Sequence, residues 1–253
     1  MKKFLIVLIA GTLFVAFIAS RPQTACPHSA QAGGTVKITG RVTDFAGRPI
    51  EGATVELKNS RFENAAEGLS GKDGCYSLTV PKGTYMALAA VKDYRTKSLE
   101  YWAWSIPAER DLEINPRFDR LEVYGINAWR PQGGYASYLV YFRPMSLTRA
   151  ARAVQDAGGM ENLGKLPVID IAPELTADDI QVAIDGQPVK ILQMNKVREA
   201  GGPNQYLFGY LIQVTLPERK PSTDDFPITI TLTDRATGEK GEGCLFFRPA
   251  RLL

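Results

Sequence analysis

The sequence predicts an all-β protein of two β-sandwich domains, the second carrying one inserted helix. Three observations carry this. From Thr35 onward, short runs of alternating apolar and polar residues are broken about every ten residues by Gly, Pro, Asn or Asp. Only residues 146–159 have a convincing helical periodicity. The 253 residues are enough for two domains of about 100–150 residues, each with its own core.

The chain opens MKKFLIVLIAGTLFVAFIAS, with Lys2 and Lys3 followed by an apolar run from Phe4 to Ala19. This is the charge-then-hydrophobe pattern of a secretory signal, assigned to residues 1–25, and it predicts export from the cytoplasm. The run is short for a spanning helix, which needs roughly 20 apolar residues, so a retained anchor is the weaker reading. Ala30-Gln31-Ala32 has the small-x-small form of a cleavage site but stands far from the run, which leaves the cleavage position open. A lipoprotein reading makes Cys26 the acylated residue; Thr24-Ala25-Cys26 fits it, whereas Gln23, Pro22 and Arg21 do not.

TVKITGRVT (35–43) places Val36, Ile38 and Val42 on one face, with Gly40 on that face where a neighbouring backbone can approach closely. Gly47 and Pro49 form a turn into the strand ATVELKN (53–59), where Val55 and Leu57 share a face. Residues 60–70 read as a loose connection. Lys72-Asp73-Gly74 is a tight turn into CYSLTV, with Tyr76, Leu78 and Val80 on one face and Cys75 on the other. Pro81 and Gly83 turn the chain again into YMALAAV (85–91).

These spaced turns carry a family likeness. ITGRVTDFAGRPIEGATVELKN followed by DGCYSLTVPKGTYMALA resembles the carboxypeptidase regulatory-like domain over about residues 35–115, a third of the chain. The resemblance implies a seven-stranded transthyretin-like or carbohydrate-binding-like sandwich without catalytic residues, set at 34–115. Related surface sandwiches cross-link a first-strand lysine to a last-strand Asn or Asp. Lys37, Asp111 and Asn115 invite that comparison, but MALAAVKDY lacks the glutamate that such a bond would call for, and a surface lysine is the simpler reading of Lys37.

KSLEYWAWSIP (97–107) is the richest aromatic stretch. Alternation puts Trp102 and Trp104 on one face and Tyr101 and Ala103 on the other. Two adjacent tryptophans form either a flat platform for a sugar ring or partner surface, or packing within the core or between the domains. Pro116 then ends the first domain, and 120–253 is expected to form an immunoglobulin-like sandwich. Its strands are LEVYGINAW (121–129), YASYLVYF (135–142), a hairpin at Asp185-Gly186 within 180–194, a long strand at 206–216 and a final hairpin around Thr237-Gly238. Trp129, Tyr135, Tyr138 and Tyr141 read as a second aromatic cluster of core and rim. In SLTRAARAVQDAGG, Ser146 caps a helix whose stripe is Leu147, Ala150, Ala151 and Val154, with Arg149 and Arg152 in solvent and Gly158 at its end.

Composition excludes much chemistry. His28 is the sole histidine and falls before both domains, so neither can supply a histidine-dependent triad or a His-rich zinc site. No catalytic residue, metal or cofactor is expected. Thirty Lys+Arg stand against 27 Asp+Glu, and residues 1–25 remove three of the basic ones, so the mature chain has no electrostatic footprint for nucleic acid. Three cysteines are too few for a disulfide scaffold, and sequence leaves open whether Cys75 and Cys244 pair. The expectation is a non-catalytic secreted or cell-envelope protein that binds a glycan or an envelope protein through Trp102 and Trp104. Its alternative is a structural spacer or accessory module. Membrane attachment would come only through an uncleaved signal or Cys26.

Overall fold

The computed structural model describes residues 34–202 and 205–249. The segment expected to be an export signal, Cys26 and His28 lie outside the described residues. In chain order the first half comprises β1 (Thr35–Arg41), β2 (Thr54–Lys58), β3 (Asn64–Leu69), β4 (Cys75–Pro81), β5 (Gly83–Val91), β6 (Tyr101–Ala108) and β7 (Leu112–Glu113). The second comprises β8 (Leu121–Trp129), β9 (Ser137–Ser146), helices α1 (Leu147–Asp156) and α2 (Met160–Leu163), β10 (Ile180–Ile184), β11 (Gln187–Val189), β12 (Ile191–Gly202), β13 (Gln205–Thr215), β14 (Phe226–Thr233) and β15 (Lys240–Phe247).

These strands build two sandwiches, as the alternation predicts. In the first, the sheet β4-β1-β7 faces the run β6-β5-β2-β3. Val36, Ile38, Val55, Leu57, Tyr76, Leu78 and Val80 are buried between them, each taken from the predicted inward face. Gly40 is required by close approach: a Cβ there would lie 1.7 Å from the carbonyl oxygen of Ile114. That same carbonyl accepts a 2.8 Å hydrogen bond from the Tyr76 hydroxyl. β7 is only two residues long, and the side chains flanking it extend its ladder. Asp111 Oδ1 accepts from the backbone N–H of Lys37, and Asn115 Oδ1 from that of Arg41, each at 2.8 Å. Lys37 itself is exposed.

The loose connection expected at 60–70 is instead an ordered edge strand. β3 pairs antiparallel with β2, although Asn64–Leu69 has no β-branched residue and is largely exposed. Its order comes from the turn before it, where Asn59 Oδ1 accepts from the N–H groups of Arg61 and Glu63. An Asx turn of this kind sets the register without help from side-chain alternation.

In the second sandwich, β12-β13-β9-β8 faces β11-β10-β14-β15, and every pairing is antiparallel. Phe142, Tyr210, Ile212, Ile228 and Ile230 fill its centre. Two expectations need correction. The hairpin arm after Asp185-Gly186 breaks at Lys190, and the chain then crosses to the other sheet as the long strand β12, with a bulge between Ile191 and Gln193. Trp129 and Tyr135 are exposed, whereas Tyr138 is buried against Phe226 and Phe247, so the expected aromatic cluster is divided by the strand faces.

α1 is capped as expected: Ser146 Oγ accepts from the N–H of Arg149 at 3.1 Å. Its inner face carries Leu147, Ala150, Ala153 and Val154; Ala151 turns outward, one position from the expected stripe. Arg152 is exposed and Arg149 half-buried. The helix start is also tied to the far hairpin. The buried Glu239 carboxylate accepts from the Thr148 N–H at 3.0 Å, the Thr148 hydroxyl at 2.7 Å, Arg120 Nε at 3.1 Å and the Ser146 hydroxyl. A carboxylate at this end also complements the helix dipole.

The two sandwiches share one sheet. β6 and β15 pair in parallel through Gly243 with Trp102, Cys244 with Ala103 and Leu245 with Trp104, making a continuous eight-stranded sheet. Cys244 thus packs in the first core although it comes from the last strand. Burial pushes its thiol up to about 12. Cys75 is exposed on β4, and both cysteines are free. Arg117 reaches across to Glu242 in the same region.

Glycines let β8 cross β15 at this seam: a Cβ on Gly241 would sit 2.1 Å from the Leu121 carbonyl oxygen. Replacing Gly241 by Ala should cost more than about 3 kcal/mol, because backbone must move to admit it. Gly238, with φ of +74° and open space around its Cβ position, should cost only about 1–2 kcal/mol on the same change. Urea denaturation of G241A and G238A, compared with the parent chain, checks both.

Candidate functional site

The seam between the sandwiches holds an aromatic stack, two acidic groups and an apolar cavity. Trp102 and Trp104 project from the same face of β6, as the alternation requires, and stack at 5.2 Å with 17° between planes. Phe62, in the β2–β3 turn, stacks on Trp102 at 5.6 Å. Tyr124 of β8 meets both indoles edge-on, at 5.4 and 5.0 Å. Arg143 lies 5.5 Å from the Tyr124 ring centre. It is fixed there by Glu199, through Nε to Oε2 at 3.0 Å and Nη2 to Oε1 at 2.6 Å.

The predicted pair is therefore brought together, but within a domain junction and not on an open plate. Trp102 is 3% exposed, and its Nε1 donates to Glu122 Oε1 at 3.0 Å. Trp104 is half-buried, and its Nε1 is buried without a hydrogen-bond partner among the described residues. A groove of about 420 Å³ runs beside it, lined among others by Ser60, Met86, Ser105 and Asn127.

Glu122 is the residue that sequence reasoning missed. In LEVY, Leu121 and Val123 point into the second core, and a glutamate between them reads as a solvent-facing strand residue. Instead that face is covered by the tryptophans of β6 and by the cavity wall, and Glu122 is 0% exposed. No local signal carries this, because the covering groups come from distant parts of the chain. Glu100 lies alongside: its backbone N–H approaches Glu122 Oε2 at 3.4 Å.

Burial, reinforced by the neighbouring Glu100, pushes the Glu122 carboxyl well above the ordinary carboxylate range. Burial and then the nearby Glu56 raise Glu100 to about 7. Two carboxyls this close titrate as a pair, and the second proton is the harder to remove.

On its other side Glu122 lines a cavity of about 320 Å³ under the helices. Leu99, Met145, Leu147, Val154, Leu163 and Ile171 form most of its wall. Its polar lining is Tyr94, Arg95 and Glu122. Burial, then the two carboxyls, raises Tyr94 far above the ordinary phenol value. Among the described residues no group of three or more His, Cys, Asp or Glu could hold a metal ion. No helix there is long and apolar enough to cross a membrane.

Residues 37–115 match the family model of the carboxypeptidase regulatory-like domain, the segment in which the spaced turns carry that likeness; no family model matches the remainder. No curated protein matches the chain. Among solved structures it is similar to the major pilin subunit BcpA of Bacillus cereus, at 11% identity over 83% of this chain and 67% of that one, with a TM-score of 0.28. A DUF3823 family protein from Parabacteroides merdae shares 10% identity over 84% and 99% of the two chains, with a TM-score of 0.25. A Bacteroides ovatus protein described as an adhesin shares 8% over 88% and 87%, with a TM-score of 0.24. Likeness at these scores carries no functional inference.

The carboxyl pair makes stability pH-dependent in a defined direction. The folded chain holds these protons more tightly than an unfolded chain, whose carboxyls titrate near 4.5. Their favourable contribution is full below that value, and the part due to Glu100 is lost as pH rises through about 7. The melting temperature should therefore fall between about pH 5 and pH 8. Glu100→Gln, which leaves the Trp102–Glu122 hydrogen bond in place, should remove a large part of that fall in thermal denaturation followed by circular dichroism.

Proposed function

We propose that this chain is an exported, non-catalytic structural module of a cell-envelope or surface assembly, in which two sandwiches act as one rigid unit. The observation that carries the reading is the seam: the aromatic surface best suited to a ligand platform is largely consumed in joining the halves. A flexible pair of domains would have no need to bury one tryptophan, half-bury a second and share a sheet. Export rests on the apolar N-terminal run after Lys2 and Lys3.

The reading as a non-enzyme draws support from the lining of the seam cavity. Glu100 and Glu122 are close carboxyls, but Glu122 faces a mainly aliphatic wall. Glycosidase pairs flank a sugar cleft with one carboxyl free to act as base or nucleophile. Glu122 Oε1 is instead committed to the Trp102 N–H.

One observation favours glycan binding as a second reading. The Trp104 ring borders a groove that also presents Ser105 and Asn127, and its N–H lacks a partner among the described residues. A half-buried indole beside hydroxyl and amide groups suits a single sugar ring.

The two readings separate in one comparison. For a structural module, cross-linking in intact cells should capture the same envelope neighbours with the parent chain and with Trp104→Ala, and a glycan array should find no binder. A glycan bound by the parent chain and lost in Trp104→Ala would overturn the structural reading in favour of binding. Retention of the chain in the cytoplasm would overturn the export on which both depend.

A further inference from the structure

The cavity under α1 and α2 is lined by three polar side chains, Tyr94, Arg95 and Glu122, and otherwise by apolar ones, among them Leu99, Met145, Val154, Leu163 and Ile171. At roughly 30 Å³ for each water-sized group, the 320 Å³ cavity holds about ten non-hydrogen atoms. That is the low end of the volumes typical of small-molecule sites.

The polar groups share a chemical character. Arg95 is cationic, and among the described residues its Nη2 meets the thioether sulfur of Met160, at 3.4 Å. A thioether is a weak acceptor, and no carboxylate ion-pairs with Arg95 among the described residues. Tyr94 is held as a neutral phenol. Glu122 is held as a neutral acid with Oε1 already accepting from Trp102. All three therefore present donors, and a head group that accepts several hydrogen bonds and carries negative charge satisfies them together.

We propose that this cavity binds an aliphatic carboxylate of about eight carbons, with its chain among Met145, Val154, Leu163 and Ile171 and its carboxylate at Arg95, Tyr94 and Glu122. The site is independent of whether the module is structural or glycan-binding. An ammonium group would meet the like charge of Arg95, and an uncharged alcohol would leave Arg95 facing sulfur. A charge-assisted pair with guanidinium is the strongest of the three contacts.

Backbone geometry at Arg95 provides a clean variant. Arg95 has φ of +64° and Asp93 +53°, in a turn closed by hydrogen bonds from the N–H groups of Thr96 and Lys97 to the Asp93 carbonyl, at 3.2 and 3.0 Å. Glycine favours such a conformation, so Arg95→Gly deletes the guanidinium while suiting the fold.

Calorimetric titration of the purified chain with octanoate, octylamine, octanol and methyl octanoate tests the proposal, with fluorescence of the adjacent tryptophans as a second readout. Octanoate should bind saturably, and the other three about tenfold more weakly or worse. Arg95→Gly should lose at least about tenfold for octanoate, Arg95→Lys should retain most of it, and Val154→Trp should abolish it by filling the cavity. Absence of octanoate binding, equal binding of all four probes, or unchanged binding in Arg95→Gly would each overturn the proposal.

Discussion

The parallel pairing of β6 with β15 is the contact on which the rest of the structure depends. An edge strand exposes unpaired backbone groups, and natural sheets must cover or blunt it. Here each sandwich covers an edge of the other, and β6 becomes a central strand paired on both edges. Tyr101 and Ala103 face the first core, while Trp102 and Trp104 face the seam. Residue choice on β15 follows from that position. Gly243 stands opposite Trp102 and leaves room for Val123 and Ile126 of β8, whereas Leu245, opposite Trp104, packs into the second core. Cys244 between them faces the first core.

The same contact accounts for the buried acid. With β6 fixed against β8, the Trp102 N–H needs an acceptor away from water, since an unmet buried donor costs about 1–3 kcal/mol. Glu122 supplies it. An amide would serve as acceptor equally well, so the structural requirement alone does not call for a carboxyl. What the carboxyl adds is a proton on its second oxygen and a titration coupled to Glu100. Burying it charged would be expensive; burial keeps it neutral instead. The chemistry special to this seam is thus the consequence of a packing decision made by two strands far apart in sequence.

How much of this could be read in advance follows from the range of the forces involved. Tyr76, Leu78 and Val80, the Ser146 cap and the Asp185-Gly186 turn are set by neighbours within one strand or turn, and each was legible; Gly40's close approach to Ile114 was legible only as a glycine on an inward face. The stacking of Trp102 on Trp104 was legible for the same reason. Its enclosure was not, because Phe62, Tyr124 and Glu122 reach it from three other segments. The edge strand β3 was hidden by its composition: a strand held by backbone pairing and an Asn59 turn carries no apolar alternation to detect. The break at Lys190 was hidden likewise, since a strand that changes sheets keeps its pattern while exchanging partners.

The cavity belongs to the same chain of causes. Its ceiling is α1, and the first turn of α1 is fixed to the β14–β15 turn through Glu239. The strand that joins the two sandwiches therefore also positions the helix that roofs the cavity. Beyond Gly158 and Gly159, with φ of +73° and +137°, the roof continues as α2, a single turn without a side-chain cap at its start. Leu163 on that turn lines the cavity among aliphatic side chains and Met160 lines it beside Arg95, whereas Glu122 is locked into the seam. Glu122 thus belongs to the most constrained contacts of the molecule, and the helical roof to the least anchored. For a ligand with a fixed head and a variable chain this order is the favourable one, since preorganisation matters most where directional hydrogen bonds form. Dispersion and burial of methylenes tolerate a wall that adjusts.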